Sequence, residues 1–370
     1  MASEKTSFRW RRWAGNMLAV CLGLLAVVVL IVSAELVLRL KSRLQTPPDK
    51  VPVVGRLTGA IGHAGILGVE GEPNGVIQCF AARGDRNLYD VACKTDAAGR
   101  RLTPCDCRDE SARLALFFGC SMTFGLGVQD GETLPARYCA HTPGCVSLNY
   151  GLAGYGPQQM WLQICRQGVL KQFRARRGII VYTFIDDHVN RLIGTPSIVS
   201  EWPYPLPWLG LQDGRVEHHG TFFDRAPLQY LFLHYVDRTH LARFIENRMP
   251  RRQAPPQPSD KAVDLLAKIV LECVDTAKTQ CPALEFHCLV FPKFASSQWG
   301  KPLTDRLRSA NVRVLDYSEL FENTQRTMDE LFFDDNSVCR WGHPRAIGYD
   351  LLAQQLSRDT GAQAATAAHP

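Results

Sequence analysis

Residues Leu114 to Gly127 read LALFFGCSMTFGLG, and the fold is decided by how this stretch is interpreted. Five consecutive apolar residues ending at Gly119 are too short for a helix and fit a strand buried on both faces. Cys120 and Ser121 follow at once, so the serine stands on the turn that leaves the strand. Ligands of open α/β sheets bind beyond the carboxyl ends of the strands, which is where this places the Ser121 hydroxyl. Strand–Gly–x–Ser is weak by itself, because serine at such a turn is also a common helix N-cap.

Similar short apolar runs recur at Val146–Asn149 (VSLN), Ile179–Ile185 (IIVYTFI), Phe286–Phe291 (FHCLVF) and Val312–Leu315 (VRVL). Helical stretches fall between several of them, around Gln158–Leu170 and Ala262–Thr276. In the second, Val263, Leu266, Ile269, Val270 and Cys273 repeat at helical spacing. Strands alternating with helices predict an α/β fold, a three-layer sandwich around a central parallel sheet of flavodoxin-like type.

Three more polar clusters follow predicted strands or open the last helix. NYGLAGYGPQQ (Asn149–Gln159) carries Gly151, Gly154 and Gly156, whose amides can form the anion pocket that ester cleavage needs; a Gly-rich turn starting a helix at Pro157 fits equally. IDDHVNR (Ile185–Arg191) crowds the same edge with Asp186, Asp187 and His188, either as site residues or as a capping, salt-bridging loop. WGHPRAIGYDLLAQQL (Trp341–Leu356) puts His343 ahead of an amphipathic helix, where an imidazole can take a proton from Ser121 or be structural.

Together and in this order, the four blocks resemble the SGNH (GDSL-like) hydrolases. That family has a Gly-Asp-Ser block, a Gly, an Asn and a terminal Asp-x-x-His. The GCSMTFG version is similar to membrane-anchored bacterial members in which Cys replaces the Asp. The likeness spans most of Arg113–Leu356 and extends to the anchor ending in AELVLR. It implies Ser121 as nucleophile, the amides of Ser121 and Gly154 as oxyanion donors, and His343 as general base. Two positions depart. The third-block Asn falls on Asp186, a carboxylate that would repel an oxyanion and so must be protonated, use its backbone, or orient other groups. Three before His343 stands Arg340 instead of Asp, leaving Asp334 and Asp335 to orient the histidine if the segment between them loops out. Without either, a Ser-His dyad remains. The implied activity is serine ester hydrolysis, or O-acyl transfer, on an acyl ester of envelope carbohydrate or lipid. The departures leave open an alternative: a catalytically silent module of this fold that binds an envelope polysaccharide or an assembly partner.

The chain has 370 residues and a formal charge of +6. Seven cations and two acids lie within the first 43 residues, so the remainder is close to neutral and offers no basic footprint for nucleic acid. Ala14–Ala34 runs without a charge for about the length a helix needs to cross a bilayer. The cations before it favour a cytoplasmic N-terminus in a bacterial inner membrane, with the rest in the periplasm. The span continues past Glu35 as LVLRL, which favours an uncleaved anchor over cleavage after Val32-Ser33-Ala34. The expected organisation is 1–45 N-terminus and anchor, 46–110 spacer and extended lead-in, 111–358 hydrolase-like domain with an insertion at 192–258, and 359–370 disordered tail. The insertion, which includes an aromatic-rich helix near Leu228–Arg248, is expected either to wall a substrate cleft or to be a packing excursion. Thirteen cysteines agree with export, with Cys139–Cys145, Cys273–Cys281 and Cys79–Cys93 as candidate disulfides. Cys120, Cys165 and Cys288 are expected as buried thiols. No Cys or His spacing calls for a metal, and no cofactor is implied.

Overall fold

The computed structural model describes residues 2–45, 53–105, 111–202, 204–236, 239–246, 248, 258–292, 298–322, 324–335 and 342–366. Five parallel strands form the central sheet: Arg113–Phe118, Cys145–Asn149, Gly178–Phe184, Leu284–Val290 and Arg313–Asp316. Numbered along the chain, they lie side by side in the order 2-1-3-4-5. The winding direction reverses between the first and third strands, so the crevice where such sheets take their ligands opens beside the end of Arg113–Phe118.

Alternate residues of each strand feed opposite faces. Leu116, Phe118, Ile180 and Tyr182 pack in one cluster with Leu266, Ile269 and Val270 of the helix Asp260–Gln280. Phe117, Ile179, Val181 and Leu289 pack in another with Tyr138, Leu352 and Leu356. Helices therefore cover both faces, as the unbroken apolar runs require. The expected helix over Gln158–Leu170 is broken. Pro157–Trp161 passes into a π-turn at Leu162–Arg166, and a 3-10 turn (Val169–Phe173) restarts after Gly168, whose φ of +65° is a conformation glycine adopts without strain.

Part of the expected lead-in is itself a sheet. Val53–Gly59, Val76–Arg83 and Arg86–Lys94 pair antiparallel, and Ile77, Cys79, Ala81, Val91 and Cys93 enter the second cluster. The strand starts at Val53, inside the expected spacer, of which 46–52 lie outside the described residues. The last helix runs Ala346–Thr366, so the expected disordered tail is helical over 359–366, while 367–370 lie outside the described residues. Its continuation is fixed by side chains: Tyr317 donates to Asp359 at 2.5 Å, and the Thr360 hydroxyl meets that of Tyr138 at 2.8 Å.

The insertion divides. Pro207–Gln212 and Arg215–Thr221 form the hairpin signalled by Asp213-Gly214, both at positive φ as a tight hairpin turn requires. Leu209 and Val216 join the first core cluster, and the Val216 amide donates to Glu272 at 2.8 Å. Residues 231–254 group instead with 1–50 in a separate compact unit. Within that unit the helix Ala2–Gln45 contains one stretch, Asn16–Leu44, long and apolar enough to cross a membrane. The Glu35 carboxylate accepts from the amides of His240 (3.2 Å) and Leu241 (2.8 Å), capping the helix His240–Glu246. The expected continuous helix over Leu228–Arg248 is thus several short pieces.

The described cysteines are all unbridged thiols. The Cys139 sulfur lies 3.0 Å from that of Cys105 and only donates to the carbonyl of Cys145. Cys281 donates to the carbonyl of Leu170 at 3.0 Å, away from Cys273. Cys79 and Cys93 do approach, at 3.1 Å.

Candidate active site

Ser121 opens the short helix Ser121–Phe124 directly after Gly119 and Cys120. Gly119 is required by space: a β-carbon there would sit on the Thr123 hydroxyl. The first residues of a helix have amides with no intrahelical acceptor. Among the described residues no acceptor faces the Ser121 amide, and the same holds for Gly154. Gly154 has a φ of +87°, and the Trp202 ring occupies the place where a side chain would project. One residue of the insertion, Trp202, therefore packs over Gly154, while the hairpin of the insertion packs into the core.

The Ser121 Oγ lies 2.7 Å from His343 Nε2, and His343 Nδ1 lies 2.6 Å from Asp335 Oδ2. The other Asp335 oxygen accepts from the His343 amide at 2.8 Å. Three residues separated by up to 222 positions thus form one continuous proton path. Asp335 stands eight positions before His343, and the residues flanking 336–341, which lie outside the described residues, pair with each other. The Phe333 amide donates to the carbonyl of His343 (2.8 Å), the Gly342 amide to that of Phe333 (3.0 Å), and Phe332 pairs with Pro344. Closing this loop returns Asp335 to His343. Arg340 lies outside the described residues.

Asp334 takes a different part. Its carboxylate accepts from Arg83 at 2.9 Å, and the Arg83 guanidinium also bonds its carbonyl at 3.2 Å. Asp335 is almost wholly buried, at 1 % exposure. Burial works to raise its pKa, but the His343 charge, two bonds from His343 and one from Tyr89 outweigh it and hold the carboxyl below its ordinary value. Tyr89 donates to Asp335 at 3.1 Å; its own phenol is pushed up by burial and by that carboxylate, and so keeps its proton. The ionised acid can then fix the imidazole with Nδ1–H towards Asp335 and Nε2 free to accept from Ser121.

Around Gly154 the third block supports the second. Arg191 bonds Asp187 (2.8 Å) and the carbonyl of Tyr155 (2.6 Å), next to Gly154, and stacks on Trp202 at 5.4 Å. Burial opposes the Arg191 charge and Asp187 more than restores it. His188 is buried against Tyr182 (2.8 Å), its pKa driven well down by burial and then by Arg191. Asp186 points elsewhere: its carboxylate accepts from the amides of Gln298 (2.6 Å) and Trp299 (3.4 Å), ahead of the helix Gly300–Ser309.

Several residues that hold the site were not singled out from sequence. Asn149 donates to the carbonyl of Thr123 (2.9 Å) and accepts from the Gly151 amide (3.0 Å), tying the second block to the helix after Ser121. Arg101 is buried and donates to the carbonyls of Phe124, Gly125 (2.7 Å) and Val128 (2.6 Å). Asn149 and Arg191 lie inside quoted blocks and could have been noticed there. Arg83, Tyr89 and Arg101 precede the first core strand and carry no local signal.

No family model and no curated protein matches the chain. Solved structures resembling it include a G-D-S-L family lipolytic protein from Veillonella parvula, at 15 % identity and TM-score 0.36 over 67 % of this chain and 97 % of that one. A phospholipase A1 from Streptomyces albidoflavus matches at 11 % identity and TM-score 0.40, over 67 % and 99 %. A family two carbohydrate esterase from Clostridium thermocellum, solved with cellohexaose, matches at 9 % identity and TM-score 0.41, over 85 % and 91 %.

Proposed function

We propose that the chain is a serine esterase of the SGNH type, held to a bacterial inner membrane by its N-terminal helix, with its α/β domain in the periplasm. The observation that carries this reading is the unbroken hydrogen-bond path from Ser121 through His343 to Asp335. Ser121 attacks the ester carbonyl while His343 Nε2 takes its proton, and Asp335 stabilises the imidazolium that forms. The amides of Ser121 and Gly154 receive the oxyanion, and a third, Asn-type donor is not needed. His343 then protonates the leaving alcohol. Water, or a sugar hydroxyl, accepts the acyl group in the second half. Asp334 serves by anchoring the loop through Arg83, and Asp186 by holding the turn at Gln298–Trp299, so neither faces the developing charge. The substrate class is an acyl ester of envelope carbohydrate or lipid, in keeping with the anchor.

The purified full chain in detergent is expected to hydrolyse p-nitrophenyl acetate and to be labelled by a fluorophosphonate at Ser121. Absence of labelling together with glycan binding undiminished in S121A and H343A would replace the enzyme with a binding module of the same fold.

A further inference from the structure

Two cysteine pairs flank the segments that hold the catalytic residues, and the reaction uses neither. Cys79 and Cys93 lie on adjacent antiparallel strands, one rung off direct opposition, since Ile77 faces Cys93 and Cys79 faces Val91. Both side chains are fully buried and converge to an Sγ–Sγ separation of 3.1 Å. The Cys105 sulfur, shortly after Arg101, stands 3.0 Å from that of Cys139 on the helix Leu134–His141. Buried thiols that merely fill space pack against carbon, as Cys288 does within the first core cluster. Thiols aimed at each other at this range need only a small side-chain rotation to reach bonding geometry.

We infer that Cys79–Cys93 and Cys105–Cys139 are disulfides of the exported protein. Each forms by exchange: the two thiols pass two electrons and two protons to the disulfide of an exchange partner, whose S–S bond breaks as the new one forms and which leaves as a dithiol. The inference rests on export to an oxidising compartment and is independent of the esterase reading. Its placement has a structural consequence. The first bond joins the strands that carry Arg83 and Tyr89, the partners of Asp334 and Asp335. The second ties the segment after Arg101, which grips the turn behind Ser121, to the helix beside it. Both would stiffen the N-terminal layer where it meets the catalytic loops.

The test is peptide mapping of the full chain extracted from cells, denatured and blocked with N-ethylmaleimide without reductant. Expected are a linked Cys79–Cys93 species and a linked Cys105–Cys139 species, each two hydrogens lighter than its thiol form, with Cys120 and Cys288 alkylated singly. C79S should free Cys93 alone, and C105S should free Cys139 alone. Alkylation of all four thiols before reduction, or Cys107 in place of Cys105, overturns the inference. A parallel sample oxidised in vitro with glutathione disulfide separates causes. Correct pairs formed there, but absent from cells, would locate the failure in export; wrong pairs in both would locate it in the geometry.

Discussion

Set against the SGNH pattern that the sequence resembles, the segments at 332–344 and 185–191 both depart, and the chain accommodates them differently. At residues 332–344 the expected acid position three before the histidine is replaced, yet Asp335 reaches His343 because backbone pairing at Phe332–Pro344 closes a loop around the gap. At 185–191 the carboxylate standing where an amide is expected turns aside, and its hydrogen bonds go to Gln298 and Trp299. The first departure is corrected by rerouting the backbone. The second is corrected by giving the side chain another employer. A motif position therefore predicts a role only after the backbone path to it is known.

Substitutions can break this contrast, beginning with the largest effect. S121A is expected to lower kcat by about 10⁴-fold or more, measured on an activated acetyl ester. D335N should cost about 10³–10⁴-fold, whereas D334N should stay within about tenfold; equal losses would show that the two carboxylates share the task. The same pair reports on pH. The Asp335 carboxyl is held low in the folded chain, so its stabilisation is complete above the ordinary carboxylate range and vanishes as pH falls through the depressed value. The stability gap between wild type and D335N, followed by denaturant unfolding, should accordingly narrow in acid.

Y89F removes one hydrogen bond to the buried acid and leaves its geometry otherwise intact, so a loss of about five- to tenfold in kcat with KM unchanged is expected. The smallest effect belongs to the other side. D186A should leave kcat within about threefold and lower stability by about 1 kcal/mol, as the loss of its hydrogen bonds to the Gln298–Trp299 turn implies. A large fall in kcat for D186A would return that residue to the oxyanion site and undo the comparison.

The sheet was legible because LALFF, IIVYTFI and FHCLVF are buried on both faces, and burial on both faces leaves a continuous apolar signature. The serine and histidine were legible because each lies next to such a run or opens a helix. Hidden from sequence were the contacts across long separations. Tyr89 and Asp335 are 246 positions apart, and nothing near either residue announces the other. Helix continuity was over-read at 158–170 and 228–248, where the apolar pattern gives no sign of the π-turns at Leu162–Arg166 and Phe232–Val236 that change the hydrogen bonding. The tail was under-read because Ala- and Gly-rich composition looks unstructured, although Asp359 and Thr360 supply specific partners to Tyr317 and Tyr138.

The bonds from Arg83, Tyr89 and Arg101 have a consequence for where the working protein begins. Judged by its central sheet, the domain could be cut out at residue 111 and transplanted. Such an excised piece would keep Ser121 and His343 yet lack the three side chains that brace their surroundings. A truncation that keeps all three has to begin no later than the strand at Val53.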